Sequence, residues 1–223
     1  LVRLDHEFVA GEVRDFDPEA YMPRKEARHT DRFAQFAMAA AQEATAQANL
    51  VIGDGVSAER VGALVGSGIG GLGTLSEQYD VLKERGPNRV SPFLVPMMMV
   101  DMGSGKVSMM IGAKGPNFSP VSACASGADA VGVGFEMIRR NEVDVAVVGG
   151  SEACICPIGI AGFNAVGALS KNNDNPKEAS RPFDAQRDGF VPAEGAAILV
   201  LESEEHALRR NVKPIAILAG YGA

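Results

Sequence analysis

The residue best placed to do chemistry in this chain is Cys124, inside KGPNFSPVSACASGADAVGVGFEMIRRNEVDVAVVGGSEA at residues 114–153. A short extended run ends at the cysteine, small residues then open a helical stretch, and a strand follows at 143–149. A cysteine at that junction stands at the positive end of a helix, which favours thiolate over thiol. The thiolate is the nucleophilic form, so the position points to covalent acyl chemistry. The same pattern also fits a buried structural cysteine, because free Cys is among the most buried residue types.

Other motifs compete for a chemical role. GSGIGGLG at residues 66–73 contains GxGxxG after an apolar run. A dinucleotide site would need an acidic residue at the end of a second strand, about 20 residues on. KERGPNRVSPFLVP follows instead. The glycines are therefore read as letting backbone come close to a ligand or another segment. Ile69, the large apolar side chain among them, lines a hydrophobic cavity or belongs to the core. Cys154 and Cys156 form a CxC with no His or Cys in the residues that follow up to Ala196, so no zinc ligand set assembles and no metal is expected.

His206 lies in ESEEHALRR, read as a solvated helix. His29 lies in PRKEARHTDR beside Arg24, Lys25, Arg28 and Arg32, and clustered cations make it a poor proton acceptor. That basic patch on an acidic protein is either a solvated helix start or a docking site for an acidic partner. Phe93, Leu94 and the methionines of FLVPMMMVDM supply adaptable apolar surface, for core filling, an acyl pocket or a subunit interface.

These groups must be held by a soluble, layered scaffold. The 223 residues carry 46% hydrophobic and 22% charged side chains, as ordinary globular proteins do. A net charge of −7 argues against a general nucleic-acid-binding surface. Three cysteines without a framework spacing suggest a reducing, cytoplasmic setting. No apolar run reaches the roughly 18 residues of a membrane span, and LVRLDHEFVAGEV does not have the form of a signal peptide. Both ends read as cuts through a larger chain.

Residues 1–22 read as irregular. Thr30 or Asp31 can cap a helix running to about Asn49. A strand is expected at 61–65, a helix at 74–85 stopped by Gly86-Pro87, then a loop and a Met-rich helix, and a helix at 125–140. A polar loop at 170–190 precedes a strand at 196–201, a helix at 203–210 and a strand at 215–220. Strands alternating with helices predict an α/β layered fold.

Taken together, GSGIGGLG, SPFLVPMM, GAKGPN, SACASGADAVG, DVAVVGGSEA, GIAGFNAVGALS and NDNPKEASRPFDAQRDGFVPAEGAAILVLE resemble the β-ketoacyl-acyl carrier protein synthases, specifically synthase II. The segments occur in the family's order, and the resemblance covers essentially the whole chain. It implies an α/β, thiolase-like helix–sheet–helix fold, here incomplete and mostly the first half of a two-fold repeat. Residues 1–201 would be the N-terminal half, lacking its first strand and helix but with cap and pocket insertions, and 202–223 the start of the C-terminal half.

The resemblance also assigns roles. Cys124 matches the acyl-accepting nucleophile, with its own N–H as one oxyanion donor. Ile69 and Phe163 match acyl-pocket positions, and Leu94 one that reaches into a partner subunit's pocket. Lys25 and Arg28 match basic residues near the carrier-protein docking surface. The implied partners are acyl carrier protein and a second copy in a homodimer, with no nucleic acid and no membrane. No cofactor is implied, the substrates riding on the carrier's phosphopantetheine. The family's two catalytic histidines, catalytic lysine and glycine-rich gate lie further downstream and are not among these residues. Gly167 stands where relatives can carry a basic docking residue. The retained Cys124 sets the chain apart from a chain-length factor. A polyketide-type ketosynthase, an inactive carrier-binding or dimerisation module and, more distantly, a Cys hydrolase are the competing readings.

Overall fold

The computed structural model describes residues 8–223, so the first seven residues of the 1–22 stretch read as irregular lie outside the described residues. In chain order the elements are helix α1 (Arg24–Ala27), α2 (Arg32–Gln47), strand β1 (Val61–Gly66), α3 (Leu72–Arg85), α4 (Leu94–Met98) and α5 (Met102–Ile111). They continue with α6 (Ser126–Arg139), β2 (Val145–Glu152), α7 (Pro157–Ala165), β3 (Gly195–Glu202) and α8 (Glu204–Arg209). Local chemistry sets several boundaries. The Asp31 carboxylate accepts the Phe33 N–H at 3.1 Å and starts α2. Gly86, at φ 81°, ends α3 in a backbone region that other residues avoid.

The sheet among the described residues runs β1-β2-β3, with β1 and β2 parallel and β3 antiparallel to β2. The register sets Ala63 beside Val147 and Val147 beside Val200. Strand side chains alternate, so the sheet feeds two cores. On one face Val61, Ala63, Val65, Val145 and Val147 pack with Ala37 and Ala41 of α2 and Val107 of α5. On the other, Leu64, Ala146 and Val148 pack with Ala130 and Met137 of α6. Burial on both faces explains why β1 and β2 read as continuous apolar runs rather than alternating ones.

Ser104 of α5, fully buried, ties the end of β1 to the segment approaching the cysteine. Its hydroxyl accepts the Val65 N–H at 2.8 Å and donates to the Phe118 carbonyl at 3.0 Å. Asn117 forms an isolated parallel bridge to Ala63. The chain is thereby steered along the open side of β1 toward residue 124.

Two expectations are corrected, and one helix forms where the sequence pattern announces none. No ladder forms at 215–220 among the described residues; Ile215 and Ile217 stay 89% and 86% exposed because no neighbouring strand takes their N–H and C=O groups. His206 is not solvated but 2% exposed, with Nδ1 2.5 Å from Glu202 Oε1. Its helix turns that one face inward while Glu204 and Glu205 face water. Helix α7, started by Pro157 at its first position, stands in a stretch without a marked amphipathic pattern in the sequence.

Candidate active site

Cys124 lies in a short 3-10 turn, Ala123–Ala125, that runs directly into α6. The thiol is exposed. The residue before it, Ala123, has φ 53°, a left-handed conformation that costs a non-glycine residue roughly 1–2 kcal/mol. Ser126 holds that turn. Its hydroxyl donates to the Ala123 carbonyl at 2.6 Å and accepts the Ser122 N–H at 2.9 Å. The Ser122 hydroxyl in turn bonds Asp129, one turn further along α6, and the Tyr221 hydroxyl donates to the other Asp129 oxygen at 2.5 Å.

The start of α6 is pressed onto the strand ends. A Cβ on Gly66 would stand 2.1 Å from the Ser126 carbonyl oxygen, and one on Gly127 3.2 Å from the Gly150 Cα. Only glycine at 66 lets the helix lie this close, which places the cysteine turn directly over the C-terminal ends of β1 and β2.

The 66–73 turn packs against the cysteine turn. A Cβ on Gly68 would meet the Ala123 carbonyl at 3.3 Å, so Ile69 is carried by a loop that adjoins residue 123. Ile69 itself is 36% exposed. On the far side of the loop, the Gly71 N–H donates to the Met98 carbonyl at 3.2 Å. That bond brings α4, and with it half-buried Leu94, against the same loop. Phe163 of α7 is half-buried and meets Phe190 edge-on at 5.2 Å between centroids. The start of α7 packs near the first turn of α3, since a Cβ on Gly159 would stand 3.4 Å from Leu72 Cδ2. Ile69, Leu94 and Phe163 are thus carried by elements that meet around one glycine turn.

Lys25 and Arg28 stand elsewhere, exposed on and just after α1. His29 is drawn out of their patch: its ring stacks on Phe93 at 3.7 Å and 15°. The residues just after α1 and just before α4 are therefore in direct contact. Of the remaining thiols, Cys154 is 5% exposed and burial, with Glu152 nearby, pushes it up to about 11. No group of His, Cys, Asp and Glu among the described residues is arranged to hold a metal.

A cavity of about 540 Å³ opens nearby, but its walls include Asp31, Arg32, Glu77 and Glu194 and none of Cys124, Ile69, Leu94 or Phe163. Charged walls and the Arg32–Glu194 ion pair at 2.7 Å do not suit an apolar chain. Sequence reasoning missed the residues that shape the site without reacting: Ala123, Ser126, Asp129 and Glu152. Glu152 alone left a sign, as a carboxylate closing an otherwise apolar strand.

A cysteine-bearing turn laid over the ends of parallel strands, with an antiparallel strand beside them, defines one half of a thiolase-like α/β fold. The chain belongs to the β-ketoacyl synthase family, whose N-terminal domain matches residues 3–207. It is 47% identical over 211 residues to the 3-oxoacyl-[acyl-carrier-protein] synthase 2 of Synechocystis sp., covering 95% of this chain and 50% of that protein. Its fold is similar to a β-ketoacyl synthase from Burkholderia phymatum, with a TM-score of 0.82 at 34% identity over 92% of this chain and 50% of that one. It is also similar, with a TM-score of 0.76 at 29% identity, to a type II polyketide ketosynthase solved in complex with its acyl-carrier protein, covering 92% of this chain and 50% of that one. The chain spans about half the length of the curated relatives it matches.

Proposed function

We propose that the whole protein containing this chain is a 3-oxoacyl-acyl carrier protein synthase of fatty-acid elongation, and that Cys124 is its acyl-accepting nucleophile. The carrying observation is the placement of an exposed cysteine in the 3-10 turn that runs into α6, beside the loop that bears Ile69. The Cys124 sulfur attacks the thioester carbonyl of acyl-carrier protein, a new C–S bond forms, and the carrier's phosphopantetheine thiolate leaves. The oxyanion of the tetrahedral intermediate is met by the N–H of Cys124 at the helix start. Malonyl-carrier protein then loses CO2, the electron pair of the broken C–C bond forms the new bond to the acyl carbonyl, and the Cys124 thiolate departs. The groups that drive the second half are those the family resemblance places beyond this chain.

Ile69 and Phe163 line the acyl pocket in this reading, and Leu94 reaches toward a partner copy's pocket. A homodimer is supported by apolar side chains left in water on neighbouring helices: Leu75, Tyr79 and Leu82 form an exposed stripe on α3, and Val95 and Met99 stand exposed at α4. Lys25 and Arg28 form the carrier-docking patch. No resident cofactor enters these steps. A reducing, cytoplasmic location suits the exposed thiol; no helix among the described residues is long and apolar enough to cross a membrane.

A polyketide-type ketosynthase is the second reading, favoured by the fold similarity to such an enzyme. The identity to the fatty-acid enzymes is higher, 47% against 29%. The test is to incubate the natural polypeptide with acyl-carrier protein and read Cys124 by mass spectrometry. A thioester on Cys124 that disappears in Cys124→Ala supports the assignment. No adduct, or one that survives the substitution, refutes it. Profiling fatty against polyketide acyl chains then separates the two enzyme readings.

A further inference from the structure

Glu152 closes β2 and turns its carboxylate into the 66–73 turn. Oε2 accepts two successive backbone donors, the Gly68 N–H at 2.9 Å and the Ile69 N–H at 3.1 Å. Oε1 accepts the Ser67 hydroxyl at 3.3 Å, and the Ser67 oxygen in turn accepts the Gly70 N–H at 3.1 Å. One side chain thereby fixes the backbone from residue 67 to residue 70. Backbone N–H groups that bend around a carboxylate form an anion nest, here filled from within the protein.

The carboxylate also borders the cysteine turn. A Cβ on Gly68 would stand 3.3 Å from Glu152 Oε2 and 3.3 Å from the Ala123 carbonyl. Glu152, the loop bearing Ile69 and the residue before Cys124 therefore meet at one point. Burial pushes Glu152 above the ordinary carboxylate range, and the loop N–H bonds offset only part of that. Holding a carboxylate there costs stability, and a glycine-rich loop needs such a fastening because its own backbone entropy is high.

We propose that Glu152 is a positioning residue that sets where Ile69 stands relative to Cys124, and so determines which acyl chain lengths reach the thiol. The proposal rests on the acyl-pocket reading of Ile69. Glu152 touches neither the thiol nor the acyl group; it acts through the Gly68–Ile69 backbone. When that fastening is lost, a short acyl group, which ends before Ile69, still reaches Cys124. A long one must pass an Ile69 that no longer holds one place.

The test uses the natural polypeptide, wild type against Glu152→Gln, which keeps the size but swaps one acceptor oxygen for an NH2 facing the loop donors. Amide hydrogen exchange is expected to speed up about tenfold at Gly68 and Ile69, with Val147 and Val148 unchanged, as loss of a charge-assisted bond would give. Acylation of Cys124 by myristoyl-carrier protein is expected to fall about tenfold, through KM, while butyryl transfer stays within about twofold. Equal losses for both chains, or no change in either, would overturn the proposal. Should Glu152→Gln not fold, Ser67→Ala removes only the hydroxyl relay and is expected to give the same selective loss at smaller amplitude. Should the wild type accept no acyl group, the reading of the function fails by itself. The ratio of Cys124 alkylation by short- and long-chain N-alkyl maleimides then still decides the role of Glu152: an unchanged ratio in the variant overturns it.

Discussion

Ser126 reaches back three residues to Ala123: its hydroxyl donates to the Ala123 carbonyl at 2.6 Å. The bond spans the exposed Cys124 and fastens the left-handed Ala123, at φ 53°, that precedes it. Removing the hydroxyl frees Ala123 to relax to an ordinary conformation. Ser126→Ala is expected to cost about 1 kcal/mol in stability and to slow Cys124 acylation about tenfold. A thermal melt and the rate of thioester formation measure the two effects separately.

Gly66 sets how closely α6 lies on the sheet. A methyl group there would be 2.1 Å from the Ser126 carbonyl oxygen, and backbone cannot move aside without shifting the helix start. Gly66→Ala is expected to destabilise by about 3 kcal/mol or more, measured by urea unfolding, with loss of Cys124 acylation in whatever fraction folds. Wild-type stability in this variant would show that the helix start is not so constrained.

The thiols should separate by reactivity. Cys154 is buried and pushed up to about 11, so near pH 8 it remains a protonated thiol, the unreactive form. Cys124 is exposed. Limiting iodoacetamide at pH 8 is expected to label Cys124 and leave Cys154 unmodified, as peptide mass mapping would read.

Acid stability should report the cluster at the end of β3. Glu202 accepts from Arg210 at 2.7 and 3.0 Å and pairs with His206 at 2.5 Å. Burial alone would raise Glu202, but the bonds from Arg210 and His206 outweigh it and hold it below the ordinary 4.5. A depressed carboxylate adds stability that is fully present above its unfolded value and lost as pH falls through its folded value. Unfolding free energy is thus expected to drop below about pH 4.5 in the wild type, with a shallower slope in Glu202→Gln. That variant is also expected to lose about 3 kcal/mol at neutral pH, because Arg210 and His206 stay buried without their partner. Arg210 further donates to the Ala48 and Asn49 carbonyls, so the end of α2 should fray with it.

Lys25 and Arg28 are exposed, so reversing their charge should leave the fold alone. Lys25→Glu with Arg28→Glu is expected to raise KM for the carrier-borne substrate about tenfold or more at low salt, with kcat little changed. The effect should shrink as ionic strength rises, because exposed charges are screened.

Much of this was legible in the chain. The strands at 61–66, 145–152 and 195–202 stand where apolar runs announce them, and α2 begins at the Asp31 cap. Cys124 was legible as a thiol at a helix start because small residues follow a strand-like run. What escaped were features with no local signal. The φ of Ala123 is imposed by Ser126 and by the press of α6 on Gly66, not by any preference of alanine. His206 sits on a helix that reads as solvated throughout, and only Glu202 and Arg210 show which face turns inward. The 215–220 run is apolar enough for a strand, but a strand exists only where a neighbour takes its hydrogen bonds.

The sequence by itself determined the family and the layered α/β class and put a cysteine just before a helix, because these depend on residue types in order and on periodicities a chain carries locally. The tertiary structure decided how the site is built. It placed Ile69 and Leu94 around one turn, closed Ser126 across Cys124, and aimed Glu152 at the Gly68 and Ile69 N–H groups from a strand more than eighty residues away. Such contacts arise from packing between distant segments, where close approach and hydrogen-bond satisfaction, rather than local preference, fix the geometry.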